Sequence, residues 1–148
     1  MRILALDPGD KRIGIAISDP LGITAQGLPT LERKNDDRDF ETLKGICGDK
    51  GVQKCLVGLP LQMNGDIGER AKITLAWVEK LKAKIPCPVE TWDERLTTRE
   101  ATRLMIGQGM SRQKRKDKND QLAAILLLQN YLETQRSKRP HSPDDEVF

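Results

Sequence analysis

Apolar residues in this chain fall first into short strand-like runs, then into helical spacing, and finally into one block that is apolar almost all round. Residues 2–7 and 13–18 read as two strands joined by a turn at Pro8-Gly9-Asp10, and 23–31 as a third, which makes an antiparallel meander. From Asp37 onward Phe40, Leu43, Ile46 and Cys47 recur at helical spacing until Gly48 and Gly51 intervene. Residues 54–60 form a continuous apolar run, which suits a strand covered on both faces and therefore parallel to its neighbour. A loop over 61–68 leads into a helix whose apolar side includes Ile73, Trp77 and Leu81, and 86–94 supplies a further strand. Thr97 and Glu100 have capping-box spacing, which starts a helix with Ala101, Leu104 and Met105 inward. After a basic loop, 122–132 predicts a helix packed deeply between other elements.

Three strands followed by alternating helices and strands predict an α/β fold, a mixed sheet with helices on both faces. A length of 148 residues without a compositional break before the tail predicts one domain over 1–138. Residues 139–148, with Pro140, Pro143, Asp144, Asp145 and Glu146, read as a disordered charged tail. No apolar run is long enough to span a bilayer and no signal core opens the chain, so a cytoplasmic protein without a membrane partner is expected.

The side chains available for chemistry are few in kind. The single histidine, His141, lies in the tail, which excludes a histidine-based triad or imidazole metal site in the body. Cys47, Cys55 and Cys87 lack C-x-x-C spacing and read as reduced core thiols. Carboxylates must then carry any catalysis. Asp7 ends the first strand, and Asp93 and Glu94 end the last strand on the same rim, where alternation sends them to opposite faces so that one of the two joins Asp7. Asp120 directly precedes the apolar final block, with Asp117 in the basic loop as an alternative, and a first-turn acid favoured by the helix dipole is its structural explanation. Such an acidic cluster suits Mg²⁺ or Mn²⁺, and two such ions about 3.5 to 4 Å apart can activate a water and stabilise a leaving oxygen in phosphodiester hydrolysis.

Net charge is only +3, yet residues 112–118 concentrate Arg112, Lys114, Arg115, Lys116 and Lys118. A solvated loop is the ordinary reading of such a run; an electrostatic grip on phosphates is the functional one. Aromatic residues are scarce, and Trp77 and Trp92 sit where core packing accounts for them. Asp19 either closes the turn after the second strand or orients Arg12.

Four segments together, LDPGDKRIGIAISD at 6–19, VGLPLQMNG at 57–65, DERLTT at 93–98 and DQLAA at 120–124, resemble the YqgF (RuvX) family of RNase H-like nucleases. The likeness runs to about residue 136, with Asn119 standing where the family more often has an apolar residue. It implies a five-stranded RNase H-like sheet flanked by helices and metal-dependent hydrolysis of nucleic acid. Asp7, Glu94 and Asp120 would be the metal-binding catalytic acids, with Arg12, Arg95 and the loop from Gly58 to Gly65 around the substrate. The family is assigned mainly to 5′-end maturation of pre-16S rRNA, so an rRNA precursor is the expected partner ahead of a four-way DNA junction. Monomer and homodimer stay open.

Two readings from other classes compete. A nucleic-acid-binding module could keep the fold without efficient catalysis. Phosphoryl transfer from ATP also uses a strand, an acid and a glycine turn, but those proteins clamp nucleotide between two such domains and this chain has room for one.

Overall fold

The computed structural model describes residues 1–94 and 112–138, with the side chains of the last helix described over 120–136. The elements are β1 (Ile3–Pro8), β2 (Arg12–Ser18), β3 (Ala25–Glu32), α1 (Asp36–Lys50), β4 (Lys54–Leu59), α2 (Glu69–Lys82), β5 (Val89–Asp93) and α3 (Arg112–Lys138). The sheet has five strands in the order β3-β2-β1-β4-β5. Pairings β1–β2 and β2–β3 are antiparallel, while β1–β4 and β4–β5 are parallel, so the mixed sheet is as expected. The parallel strands β1, β4 and β5 therefore end at one edge.

Strand alternation divides the core between the two faces. Leu4, Leu6, Ile13, Ile15, Ile17, Cys55 and Val57 pack under α1 and α2 with Phe40, Leu43, Trp77, Val78 and Leu81. Ile3, Ala5, Ala16 and Leu56 meet α3 through Ala124, Leu127, Leu128, Tyr131 and Leu132. Small residues on this second face let α3 lie close to the sheet.

Helix α1 is bounded by local chemistry. The Asn35 side chain accepts a hydrogen bond from Arg38 N at 2.9 Å, Asp36, Asp37 and Asp39 lie in the first turn, and Gly51 closes the helix in the left-handed region at φ 65°. The loop from β4 to α2 is likewise built by short-range bonds. Gln62 N donates to Asp66 O at 2.9 Å, Gly65 N to Gln62 O at 2.7 Å, and Asp66 N to Asn64 Oδ1 at 3.0 Å.

Three expectations change. Ile73 is 66% exposed; the buried face of α2 is Ala71, Thr74, Trp77, Val78 and Leu81, and at roughly 100° per residue Ile73 lies about a quarter turn from its centre. Residues 112–118 are not a loop but the opening turns of α3. Arg, Gln and Lys are strong helix formers and no Gly or Pro occurs from Arg112 to Lys138, so the helix extends well ahead of its apolar block. Asp120 consequently lies two turns inside α3, and a first-turn dipole role no longer explains it. The helix expected from Thr97, with Glu100, Ala101, Leu104 and Met105, and the tail over 139–148 lie outside the described residues.

Candidate active site at the carboxyl edge of the sheet

Asp7 is the penultimate residue of β1 and shares the α3 face with Ile3 and Ala5 by alternation. Glu94 follows β5 directly. Trp92 packs on the α3 face and Asp93 is exposed, so the two-residue period turns Glu94 toward Asp7 and resolves the choice between the neighbouring acids. Glu94 N donates to Leu59 O at 3.3 Å, which carries the parallel ladder one bond past the end of β5 and fixes the main chain there.

Gly58 makes room for the Glu94 carboxylate. It pairs with Trp92 in register, and a Cβ at Gly58 would lie 2.5 Å from Glu94 Oε2 and 3.2 Å from Leu127 Cδ2. The carboxyl thus sits between β4 and α3, largely out of water. Burial is the first cause pushing it up to about 9, followed by the hydrogen bond to Asp7 and the like charge of Asp7; Arg70 pulls in the opposite direction and Asp93 adds a smaller upward push. At neutral pH Glu94 therefore holds a proton in its contact with Asp7.

Asp120 reaches the same region through its main chain. A Cβ at Gly14 would run into the Asp120 carbonyl, and Gly14 is the register partner of Asp7. One strand over, a Cβ at Gly27 would lie 2.5 Å from Gln121 Cδ, while Gln121 Nε2 donates to Leu28 O at 2.8 Å. Two glycines and one side-chain bond thereby set the position of α3 on β2 and β3. Among the described residues no three His, Cys, Asp or Glu side chains are grouped closely enough to hold an ion together. The arrangement is an acid pair with a third acid on the adjacent helix, not a closed cage.

That donor set fits a hard divalent cation. It consists of carboxylate oxygens only, and the Asp7–Glu94 pair carries a proton where a cation would relieve the same repulsion. Mg²⁺ and Mn²⁺ keep waters and tolerate few protein ligands, so an incomplete set suits them better than it would suit a thiolate-seeking metal.

The remaining predicted residues divide. Arg12 opens β2 opposite Glu32 and lines a shallow pocket with Asp10, Lys11 and Arg33 at the same edge. Arg95 lies outside the described residues, and Lys114, Arg115, Lys116 and Lys118 occupy the first two turns of α3, where only the backbone is described. Asp19 closes the β2–β3 turn: its Oδ1 accepts from Ile23 N at 2.6 Å and Thr24 N at 2.8 Å, and the Thr24 bond is the first cause holding its carboxyl below the usual range. Trp77 is buried against Phe40 at 5.5 Å, and Trp92 Nε1 donates to Asn130 Oδ1 at 2.9 Å with its ring edge-on to Tyr131. Trp77 lies in the core and Trp92, half-buried, packs against the cluster under α3, so packing accounts for both, as expected. All three cysteines are free thiols, Cys47 and Cys55 buried, and burial pushes Cys47 up to about 12.

Gly14 and Arg70 were not anticipated from the sequence, and Gly58 was expected only at the start of the loop around the substrate, not as the space that seats Glu94. The glycines did carry a signal, since an isolated Gly inside a strand pattern marks a close approach of another backbone or group. Arg70 carried none.

The model of the RuvX family, described as Holliday junction resolvase, matches residues 1–134. This chain belongs to the RuvX family. A relative from Thermoanaerobacter pseudethanolicus, named "Putative pre-16S rRNA nuclease", is 49% identical over 139 residues, covering 93% of this chain and all of the relative. A protein of the same name from Desulforamulus reducens is 47% identical over 134 residues, covering 90% of this chain and 98% of the relative. In fold, this RuvX protein is similar to T. thermophilus RuvC in complex with Holliday junction substrate, at TM-score 0.57 and 11% identity over 92% of this chain and 96% of that one. It is also similar to the fowlpox virus Holliday junction resolvase, at TM-score 0.56 and 14% identity over 90% and 99%. The RuvX chain therefore has the RNase H-like fold expected of it.

Proposed function

We propose that this RuvX-family protein is a divalent-cation-dependent endonuclease acting on structured RNA, and that its substrate is the 5′ end of precursor 16S rRNA. The observation that carries the chemistry is the buried Glu94 carboxyl in hydrogen-bond contact with Asp7 at the carboxyl edge of the sheet. The names of relatives at 47% and 49% identity support the RNA substrate. A four-way DNA junction is the second reading, favoured by the description of the family model and by the fold neighbours.

Asp7 and Glu94 would hold Mg²⁺ or Mn²⁺, with Asp120 from α3 as the third acid and two ions as the full complement. When bound, the cation supplies an activated water and charge stabilisation for the leaving oxygen. Asp7 is fixed by its place in a central strand, and Glu94 by the space above Gly58. Glu94 must release its proton for the pair to act as ligands. Arg12, Arg95 and the basic opening of α3 would position the nucleic-acid backbone. The protein carries out this chemistry in the cytoplasm, and among the described residues no helix is long and apolar enough to cross a membrane.

The test compares cleavage of a 5′-extended 16S rRNA precursor and of a four-way DNA junction, with Mg²⁺, with Mn²⁺ and with chelator. A cation contributes several kcal/mol to such a transition state, so Asp7→Asn should lower cleavage by two or more orders of magnitude while binding persists. Cleavage by Asp7→Asn at the wild-type rate would rule out the proposed site.

A further inference from the structure

On the α1 and α2 side of the same sheet edge, a cleft of about 290 Å³ opens between the β1–β2 turn and the first turns of α2. Gly9, Asp10, Pro60, Arg70 and Lys80 are among the residues around it, with Arg33 against its inner wall. Arg33 is already committed: it donates to Gly9 O at 2.7 Å and lies over the Trp77 ring at 5.7 Å. Asp36 is shared by Arg33 at 3.8 Å and Lys80 at 3.4 Å. Arg70 differs. Its pair with Asp10 is 3.9 Å long, with the two side chains 70% and 93% exposed, and a pair of that kind exchanges readily for a better anion.

The position of Arg70 says which anion. It stands one residue into α2 and lines the cleft together with Pro8, the last residue of β1, and Pro60, just past β4, so it borders the sheet edge that carries Asp7. Three cations around the cleft face two acids, Asp10 and Asp36. The guanidinium fork matches phosphate oxygens in a bidentate way that a carboxylate at 3.9 Å does not use. The volume is close to the lower bound of about 300 Å³ for small-ligand sites, which suits one nucleotide unit and not a duplex.

We propose that Arg70 binds the backbone phosphate next to the scissile one, and that the cleft beside it takes the strand leaving the Asp7–Glu94 pair. This inference rests on the nuclease reading above for the location of the scissile phosphate. It makes Arg70 a positioning residue, so its loss weakens substrate binding and raises KM more than it lowers kcat.

The experiment measures binding of a 5′-extended 16S rRNA leader stem by Asp7→Asn and by Asp7→Asn/Arg70→Gln across a salt series. Arg70→Gln should weaken binding about tenfold at low salt and reduce the slope of log K against log salt by the share of one phosphate, about 0.7 to 0.9. Arg70→Lys should recover part of the affinity, because charge returns without the fork. Lys72→Gln, on the same helix but off the cleft, controls for loss of positive charge and should change neither quantity. Thermal unfolding of Arg70→Gln should match its parent, since the side chain is largely exposed. An unchanged affinity and slope in Arg70→Gln overturns the proposal. If the wild-type chain cleaves neither RNA nor junction with either metal, the nuclease reading fails, yet a reduced slope would still assign phosphate binding to Arg70. Absence of RNA binding by the parent overturns both.

Discussion

The main-chain carbonyl of Asp120 rests against the bare Cα of Gly14, the residue opposite Asp7 on the β1–β2 ladder. The contact involves backbone on both sides, so neither partner can swing aside. Gly14→Ala should therefore lift α3 and cost about 1 to 3 kcal/mol, the usual range for overpacking. Gly27→Ala supplies the comparison, because its new Cβ would meet only the flexible Gln121 side chain and should cost about 1 kcal/mol through the broken bond to Leu28 O. Urea unfolding of the two variants separates backbone from side-chain contact. Equal, small losses of stability would contradict the placement of Asp120 by Gly14.

Gly58→Ala is the matching change at the other acid. The added Cβ would meet Glu94 Oε2 at 2.5 Å, the end of a side chain that can move. Stability should fall by less than in Gly14→Ala, about 1 kcal/mol, while cleavage and Mg²⁺ affinity should drop at least tenfold because Glu94 leaves the pair. Displaced toward water, its carboxyl should also titrate closer to the ordinary range. Carboxyl NMR titration reads this directly; a Glu94 that still titrates as high as in the parent would show that Gly58 is not what seats it.

The strands were legible in the sequence because their periodicity is strong, and so was Asp7, since a strand, an acid and a glycine turn define a rim. Glu94 was legible as one of two acids; what separated it from Asp93 was strand parity relative to Trp92, which needs the observed register. The opening of α3 was misread because a run of charges without apolar periodicity resembles a loop, although its residues favour helix. Ile73 misled for the opposite reason, as an apolar residue near the buried face of α2 but off its centre. Gly14 and Gly58 act through what they omit, and a missing side chain has meaning only once its neighbour is known.

The raised Glu94 carboxyl predicts a pH dependence of stability with a definite sign. Its ordinary value is 4.5 and its folded value about 9, so the folded state binds this proton more tightly than the unfolded state does. The stabilising contribution is complete below 4.5 and is lost as pH rises through the window to about 9. Metal-free protein should accordingly show urea midpoints that fall from pH 5 to pH 9. Glu94→Gln, which cannot ionise, should flatten that fall. Cation binding replaces the proton, so calorimetry at pH 7 in buffers of different ionisation enthalpy should record release of about one proton in the wild type and less in Glu94→Gln. Identical pH profiles for the two proteins would contradict a protonated Glu94 in the resting pair.

Lys114, Arg115, Lys116 and Lys118 stand in the first two turns of α3, and the first turn contains no acid. Positive charge at the positive end of a helix dipole is unfavourable by about 0.3 to 1 kcal/mol per residue close to the terminus, so this segment does not serve the stability of the helix. An anion placed there offsets that cost, and a nucleic-acid backbone is the anion the proposed reaction brings. Changing all four residues to Gln should leave the urea midpoint equal or higher while binding of the 16S rRNA leader stem weakens. The slope of log K against log salt should fall by about 0.7 to 0.9 for each phosphate that the variant no longer neutralises. Fluorescence anisotropy titrations at several salt concentrations in the Asp7→Asn background measure both affinity and slope. A slope that does not change, with the helix intact by circular dichroism, would make the basic turns a solvated surface and leave substrate positioning to Arg12 and the cleft side of the edge.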